Sequence, residues 1–146
     1  MPVDINKTIT KPMNDFDIHH YLPDTKIYKY SDLKDVEAIE NLLPKSKDAF
    51  VLLIESSPDS GHWVGVLRYN NTIEYFDSYG KPPSNPLTWI PQAENKKLNQ
   101  EHPYLNYLFN KTPLKVVYNE KNYQKHSQKV NTCGAHVVFR LSLIHI

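Results

Sequence analysis

The chain has 146 residues, enough for one domain with its own hydrophobic core. A charged fraction of 23% and a formal net charge of +1 give no sign of a surface built for nucleic acid or membrane. No apolar run approaches the roughly 20 residues of a membrane span, and the polar start Met1-Pro2-Val3-Asp4 lacks a secretory signal. We therefore expect a single domain over residues 1–146, with residues 1–13 as a loose arm.

Cys133 is the only cysteine, which rules out an internal disulfide and fits a reducing, intracellular compartment. From composition alone, such a residue is either a small buried hydrophobe or a working thiol. Its position favours the second reading. It follows Asn131 and Thr132, two good helix-capping residues, and a thiol at a helix N-terminus is favoured in its reactive thiolate form.

The first part of the chain predicts two helices joined by an extended connection. The first begins near Asn14 or Asp15, which would cap it, and ends before Pro23. Residues 24–30 are expected to be extended. A second helix is predicted from Ser31 to Leu43, because apolar residues recur there at helical spacing and Pro44 follows.

A three-stranded meander is predicted next. The apolar run Ala49–Ile54 indicates a strand buried on both faces, and residues 56–61 indicate a polar turn. His62–Tyr69 and Thr72–Phe76 would be two further strands, joined by a hairpin turn at Asn70-Asn71 because asparagine tolerates positive φ.

The rest of the chain predicts irregular structure, a strand and a final helix. Lys81–Pro91 contains four prolines and is expected to be a surface excursion that either shapes a substrate groove or only covers the surface. Residues 98–109 indicate a helix or a pair of turns, and Leu114–Tyr118 a strand. The helix beginning near Cys133 would place one apolar face against the sheet, comprising Val137, Val138, Leu141 and Ile144.

Three of these elements bring chemistry to one place. Across the Asn70-Asn71 hairpin, His62 at the start of one strand and Asp77 after the end of the next are near neighbours. Taken singly, His62 is better explained as a strand-end histidine and Asp77 as a turn aspartate. Together with Cys133 they form the arrangement for an activated thiolate, because a carboxylate can orient the imidazole that serves as base.

The donor set for an oxyanion is less defined. Gln124 and Gln128 both precede Cys133, and either side-chain amide could join the backbone N–H of Cys133 as a donor. Gly134 follows the nucleophile directly, and a side chain at that position could crowd the scissile peptide.

These residues resemble a known family when read in order. Gly61-His62-Trp63, Phe76-Asp77-Ser78-Tyr79-Gly80, a glutamine and Asn131-Thr132-Cys133-Gly134 resemble the adenovirus-protease and SUMO-protease clan of cysteine peptidases, over about residues 48–142. Within it the chain looks most like the maturation proteases of large DNA viruses and virophages. The resemblance implies an α+β, permuted papain-like fold in which a small mixed sheet packs against a nucleophile-bearing helix.

The resemblance also implies roles. His62 would be the general base, Asp77 its orienter and Cys133 the nucleophile, with Trp63 packed beside the site. Tyr123-Gln124 fits the viral pattern for the oxyanion donor, and Gln128 remains the alternative because other members have a shorter gap. Ala135-His136 replaces the bulky or basic residue usual after Cys-Gly, which predicts an altered pocket beside the nucleophile. Members usually continue past the nucleophile helix, whereas the given sequence ends at Ile146, so the resemblance also predicts a truncated or artificial C-terminus.

The function so implied is a monomeric cysteine endopeptidase, without cofactor, that matures a viral polyprotein or capsid proteins in the host cytoplasm and virion. A nucleic-acid or peptide activator stays open. Two alternatives use the same fold: a deconjugating protease for ubiquitin-like modifiers, and an inactive binding module. A zinc site made of His62, Asp77, Cys133 and His136 is disfavoured, because the chain has no short ligand pair such as Cys-x-x-Cys.

Overall fold

The computed structural model describes residues 14–123 and 133–143. Its strands are β1 (Lys26–Lys29), β2 (Ala49–Ser57), β3 (Ser60–Tyr69), β4 (Thr72–Phe76) and β5 (Lys115–Tyr118). They form one five-stranded sheet in chain order, in which the two outer pairs are parallel and the two inner pairs antiparallel. The described α-helices are α1 (Asp15–Tyr21), α2 (Gln92–Lys97), α3 (Tyr104–Lys111) and α4 (Cys133–Ser142). The α+β class and the mixed sheet agree with the sequence.

Helix α1 begins where the sequence predicts. Asn14 is its cap: its Oδ1 accepts from the Asp17 N–H at 2.9 Å, and Asp17 Oδ2 accepts from the Asn14 N–H at 3.2 Å. This reciprocal pair satisfies two backbone donors that the helix itself leaves without acceptors. Ile18 is fully buried and holds the helix against the protein.

The single helix predicted over residues 31–43 is wrong. The chain instead forms two short 3-10 turns, Tyr30–Asp35 and Ile39–Asn41. Between them Val36 has extended backbone, with φ −86° and ψ 125°. The apolar residues recur at every third position from Leu33, and a period of three matches a 3-10 turn better than the 3.6-residue period of an α-helix.

The extended connection predicted at residues 24–30 contains strand β1, which pairs with β2 in parallel. The following meander is as predicted, and Asn70 has a positive φ of 55° at the hairpin turn. The polar turn predicted at 56–61 is shorter than expected, because strand pairing continues to Ser57 and resumes at Ser60.

Helix α4 packs directly on β3, and Gly65 permits its close approach. A Cβ atom added at Gly65 would lie 2.6 Å from Leu141 Cδ1 and 3.2 Å from Val137 Cγ1. Both faces of the sheet are buried, one under α4 and the other under a larger cluster that includes Tyr30, Tyr75 and residues of α3. The first residue of α4 is Cys133, so this packing fixes where the thiol lies.

Within residues 14–123 and 133–143, none of the helices is long and apolar enough to cross a membrane.

Candidate active site

The site lies where the sheet opens between β3 and β4. The last pair of residues joining these strands is Gly65 and Phe76, so β3 continues beyond the end of β4. His62 and Trp63 lie on this part of β3, which pairs with β2 on one side and is not paired with β4 on the other, and Asp77 directly follows β4. This leaves room at the edge of β3 for a group from outside the sheet.

The structure brings His62 and Asp77 together across the hairpin. His62 Nε2 lies 2.9 Å from Asp77 Oδ1, and the same oxygen accepts the Tyr79 N–H at 2.9 Å. The Asp77 side chain is fully buried and that of His62 is 10% exposed. A buried carboxylate bonded in this way fixes the imidazole and favours its charged form.

Asn119, which sequence reasoning missed, holds the backbone of Asp77. Its Oδ1 accepts the Asp77 N–H at 2.9 Å, and its Nδ2 donates to the Asp77 carbonyl at 2.6 Å. Asn119 directly follows β5, so its amide continues the β4–β5 pairing for one more residue. The only signal in the sequence is an asparagine just after a predicted strand, which usually indicates a turn.

Cys133 reaches the open edge of β3 from the N-terminus of α4. The backbone N–H of Trp63 donates to Cys133 Sγ at 3.3 Å. That N–H is available to the sulfur because β4 has already ended at this level. Cys133 is 1% exposed. The thiol, the imidazole and the carboxylate therefore converge on one end of the sheet.

The electrostatics of His62 reflect these neighbours. Burial by itself lowers the pKa of the imidazole, because it disfavours the charged form. Hydrogen bonding and charge from Asp77 and Cys133 act in the opposite direction and prevail, so the pKa of His62 rises to about 9. Because Nε2 is engaged by Asp77, Nδ1 is the ring nitrogen that remains for Cys133.

Two aromatic side chains that sequence reasoning did not assign enclose the imidazole. Tyr79 stacks on His62, with ring centroids 5.1 Å apart and an interplanar angle of 16°. Trp89 meets His62 at an angle of 65° and a centroid distance of 5.3 Å. Trp89 belongs to the proline-rich segment, so this segment helps to shape the site and does not only cover the surface. The available signal was the presence in this proline-rich segment of one of the chain's two tryptophans.

The remaining candidates are Gln124, Gln128, Gly134 and His136. Gln124 and Gln128 lie outside the described residues, as do the capping candidates that precede the helix. Gly134 is buried in the first turn of α4. His136 is half-buried, its pKa is lowered by burial, and its ring lies 6.5 Å from that of Tyr123.

Metal ligation was the rival use for these side chains. Among the residues that the structure describes, no group of three or more histidine, cysteine, aspartate or glutamate side chains is arranged to hold a metal ion.

Comparison with known proteins places the chain with one relative. The chain matches none of the known protein-family models. One solved structure, of the ASFV pS273R protease, is similar at a TM-score of 0.43 and 19% identity over 99% of this chain. This chain spans 62% of the length of that protease chain, and no activity is inferred from so distant a similarity. The uncharacterized protein V9 of Sputnik virophage is 39% identical over 136 residues, which are 92% of this chain and 77% of that protein. The chain belongs to the same family as this virophage protein.

Proposed function

We propose that this chain is a cysteine endopeptidase in which Cys133 is the nucleophile, His62 the general base and Asp77 the residue that orients it. One observation carries the proposal: the buried carboxylate, the imidazole and the thiol are in series at the open end of the sheet. His62 Nε2 lies 2.9 Å from Asp77 Oδ1, and Cys133 Sγ accepts the N–H of Trp63, the residue after His62, at 3.3 Å. Cys133 also raises the pKa of His62 by hydrogen bonding and charge, which links the thiol to the imidazole. An activated thiol nucleophile needs this arrangement, in which a base lies beside the thiol and a third group orients the base.

Each group has a defined part in the reaction. His62 takes the thiol proton through Nδ1, and the thiolate forms a bond to the carbonyl carbon of the scissile peptide. The tetrahedral intermediate collapses when His62 returns the proton to the leaving amine. Water then attacks the acyl-enzyme with His62 again as base, which releases the acid product and restores the thiol.

The charge of the resting pair favours this chemistry. With its pKa at about 9, His62 holds the proton that it takes from the thiol, so at neutral pH it is a cation beside the sulfur. The Trp63 N–H adds a hydrogen bond to Sγ. Both interactions stabilise negative charge on sulfur, which is the nucleophilic form.

The oxyanion donors are proposed on two grounds. Cys133 is the first residue of α4, and the N–H groups of a first helical turn point out of the helix end, toward where negative charge develops. The second donor would be the side-chain amide of Gln124, with Gln128 as the alternative. The sequence resemblance supports this assignment.

A groove beside the site supports a polypeptide substrate. It has a volume of about 690 Å³ and runs from Trp63 along β1 to α1. Its rim carries Asp15, Asp32 and Asp59, and Asp59 pairs with a lysine of β1. Among the described residues of the site, Trp63 lines the groove, whereas Cys133 and His62 do not. The groove would therefore hold substrate residues on the far side of Trp63 from the scissile peptide. Gly134, small and buried beside the nucleophile, would leave room for the scissile peptide.

The finer assignment follows the sequence resemblance. The fold would be the permuted papain-like one of the adenovirus-protease and SUMO-protease clan. The substrate would be a viral polyprotein or capsid protein, cut in the host cytoplasm or virion. A deconjugating activity and an inactive binding module use the same side chains and are outcomes of the test.

The test is covalent labelling of the native protein by a peptidyl vinyl sulfone that ends in Gly-Gly, with the modified residue located by mass spectrometry. We expect one adduct, on Cys133, that is lost in Cys133→Ala and slowed at least tenfold in His62→Ala. Because Cys133 is 1% exposed, an inactive module would be labelled only after denaturation, and that result would overturn the proposal. Labelling only by probes carrying a whole ubiquitin-like modifier would instead indicate a deconjugating enzyme.

A further inference from the structure

The proline-rich segment between β4 and α2 delivers Trp89 to the imidazole. This residue ends a 3-10 turn, Asn85–Trp89. Its ring centroid lies 5.3 Å from that of His62 and 5.2 Å from that of Tyr79, at steep angles to both rings. Tyr79 covers one face of the imidazole and Trp89 meets both rings edge-on, so the three rings form a compact set.

The segment that carries Trp89 is held by buried amides. Asn95 Nδ2 donates to the Leu87 carbonyl at 2.9 Å and to the Ile90 carbonyl at 3.5 Å. It therefore bonds the backbone on both sides of Trp89. Asn95 is itself 7% exposed, and its Oδ1 accepts from Gln100 Nε2 at 3.0 Å.

Gln100 ties these amides to the sheet. It is fully buried, its Oε1 accepts the Glu55 N–H at 3.2 Å, and its Nε2 donates to the Glu55 carbonyl at 2.5 Å. Glu55 lies in β2 opposite Gly61, one residue from the pair formed by Ile54 and His62. The end of β2 therefore positions both residues. His62 pairs with it directly, and the segment that carries Trp89 is bonded to it through Asn95 and Gln100.

The hydrogen-bonded amides restrict where the segment that carries Trp89 can lie. Buried amides are destabilising when only partly satisfied, so a network of this kind confines the segment to one position. His62, in contrast, lies beyond the last residue pair of β3 and β4 and lacks a strand neighbour on that side. Ring contacts take the place of that neighbour.

We propose that Trp89 is a positioning residue for His62: held by Asn95 and Gln100, it fixes the imidazole plane together with Tyr79 and screens the His62–Asp77 pair from water. The inference rests on the proposed function, because it assigns a role within that site. Small displacements of a catalytic base slow proton transfer strongly, and an aromatic contact of this kind is a suitable restraint.

The test compares Trp89→Ala, Trp89→Phe and Asn95→Ala with the unmodified chain. The control is Tyr107→Ala, which removes an aromatic ring that is 51% exposed and lies on α3. The readouts are the maximal inactivation rate and the half-saturating concentration of the Gly-Gly vinyl sulfone, together with the NMR shifts of the His62 ring protons. Circular dichroism establishes that each variant is folded.

For Trp89→Ala we expect a maximal rate about 3- to 10-fold lower and a half-saturating concentration within twofold of the unmodified chain. Trp89→Phe should recover most of the rate, Asn95→Ala should reproduce the loss, and Tyr107→Ala should change neither constant. The His62 ring protons should shift in Trp89→Ala as the ring current of the indole is lost.

An unchanged rate in Trp89→Ala, or an equal loss in Tyr107→Ala, would overturn the inference. A change confined to the half-saturating concentration would also overturn it, because Trp89 would then contact the probe and not position His62. If the unmodified chain is not labelled at all, the proposed function fails. The NMR shifts still test the contact between Trp89 and His62 in that case.

Discussion

Replacing Asp77 by asparagine removes a charge from the site while nearly preserving shape. An asparagine oxygen can still accept from His62 and from the Tyr79 N–H, which both bond Asp77 Oδ1 at 2.9 Å. The other oxygen, Oδ2, is buried and has no hydrogen-bond partner among the described residues, so an amide placed there would be buried without an acceptor. The substitution therefore removes the negative charge beside His62 while an acceptor for His62 remains, and it adds one unsatisfied buried amide.

The expected loss of rate follows from the raised pKa of the His62 imidazole. Burial lowers the pKa of His62, but Asp77 and Cys133 raise it from 6.5 to about 9. That rise corresponds to roughly 3 kcal/mol in favour of the imidazolium. The hydrogen bond to Asp77 is the largest of the contributions that raise this pKa, so weakening it slows proton transfer by about 10-fold. The unsatisfied amide should also lower the free energy of unfolding by about 1–3 kcal/mol.

The assay is the maximal inactivation rate with the Gly-Gly vinyl sulfone, measured beside urea unfolding. Glu74→Gln is the matched control: it also changes a carboxylate to an amide on β4, but its partner is Arg140, at 2.7 and 2.8 Å. We expect the rate to fall in Asp77→Asn and to stay within twofold in Glu74→Gln. Equal rates for Asp77→Asn and the unmodified chain would refute the assigned role of Asp77.

Three further predictions concern stability. The pKa of His62 is raised from 6.5 to about 9 on folding, so its contribution to the free energy of unfolding is complete below pH 6.5 and is lost as the pH rises through 9. Urea unfolding from pH 6 to 10 should show a decline in that free energy which His62→Gln lacks. Gly65→Val should push α4 off the sheet through Leu141, lowering the free energy of unfolding by about 1–3 kcal/mol and slowing Cys133 labelling; an unchanged labelling rate would contradict this. Tyr30→Phe removes a buried 2.5 Å hydrogen bond to Ser84 and should lower the free energy of unfolding by about 1–3 kcal/mol without slowing labelling, as thermal unfolding and the probe would show.

The elements that position the site were largely readable from the sequence. The run Ala49–Ile54 and the Asn70-Asn71 turn have strong local signals, namely a short apolar stretch and residues that tolerate positive φ. Antiparallel pairing then puts the start of β3 beside the end of β4 by geometry alone. The closeness of His62 and Asp77 follows from these two features.

The rest depends on tertiary contacts that leave little trace in the sequence. The 3-10 turns at 30–41 and an α-helix share similar apolar spacing, and only packing decides between them. Asn119 holds the backbone of Asp77 from 42 residues away, and no local pattern distinguishes it from a turn asparagine. Trp89 depends on a chain of buried amides through Asn95 and Gln100, which forms only when the sheet and α2 are assembled.

The central claim is that Cys133 cleaves peptide bonds with His62 and Asp77. The most direct measurement is incubation of the purified protein with a proteome-derived peptide library, followed by mass spectrometry of the new termini. We predict a recurrent set of cleavages for the unmodified chain, absent in Cys133→Ala and strongly reduced in His62→Ala. A library left intact by the folded, unmodified chain, or cleaved equally by Cys133→Ala, would contradict the account.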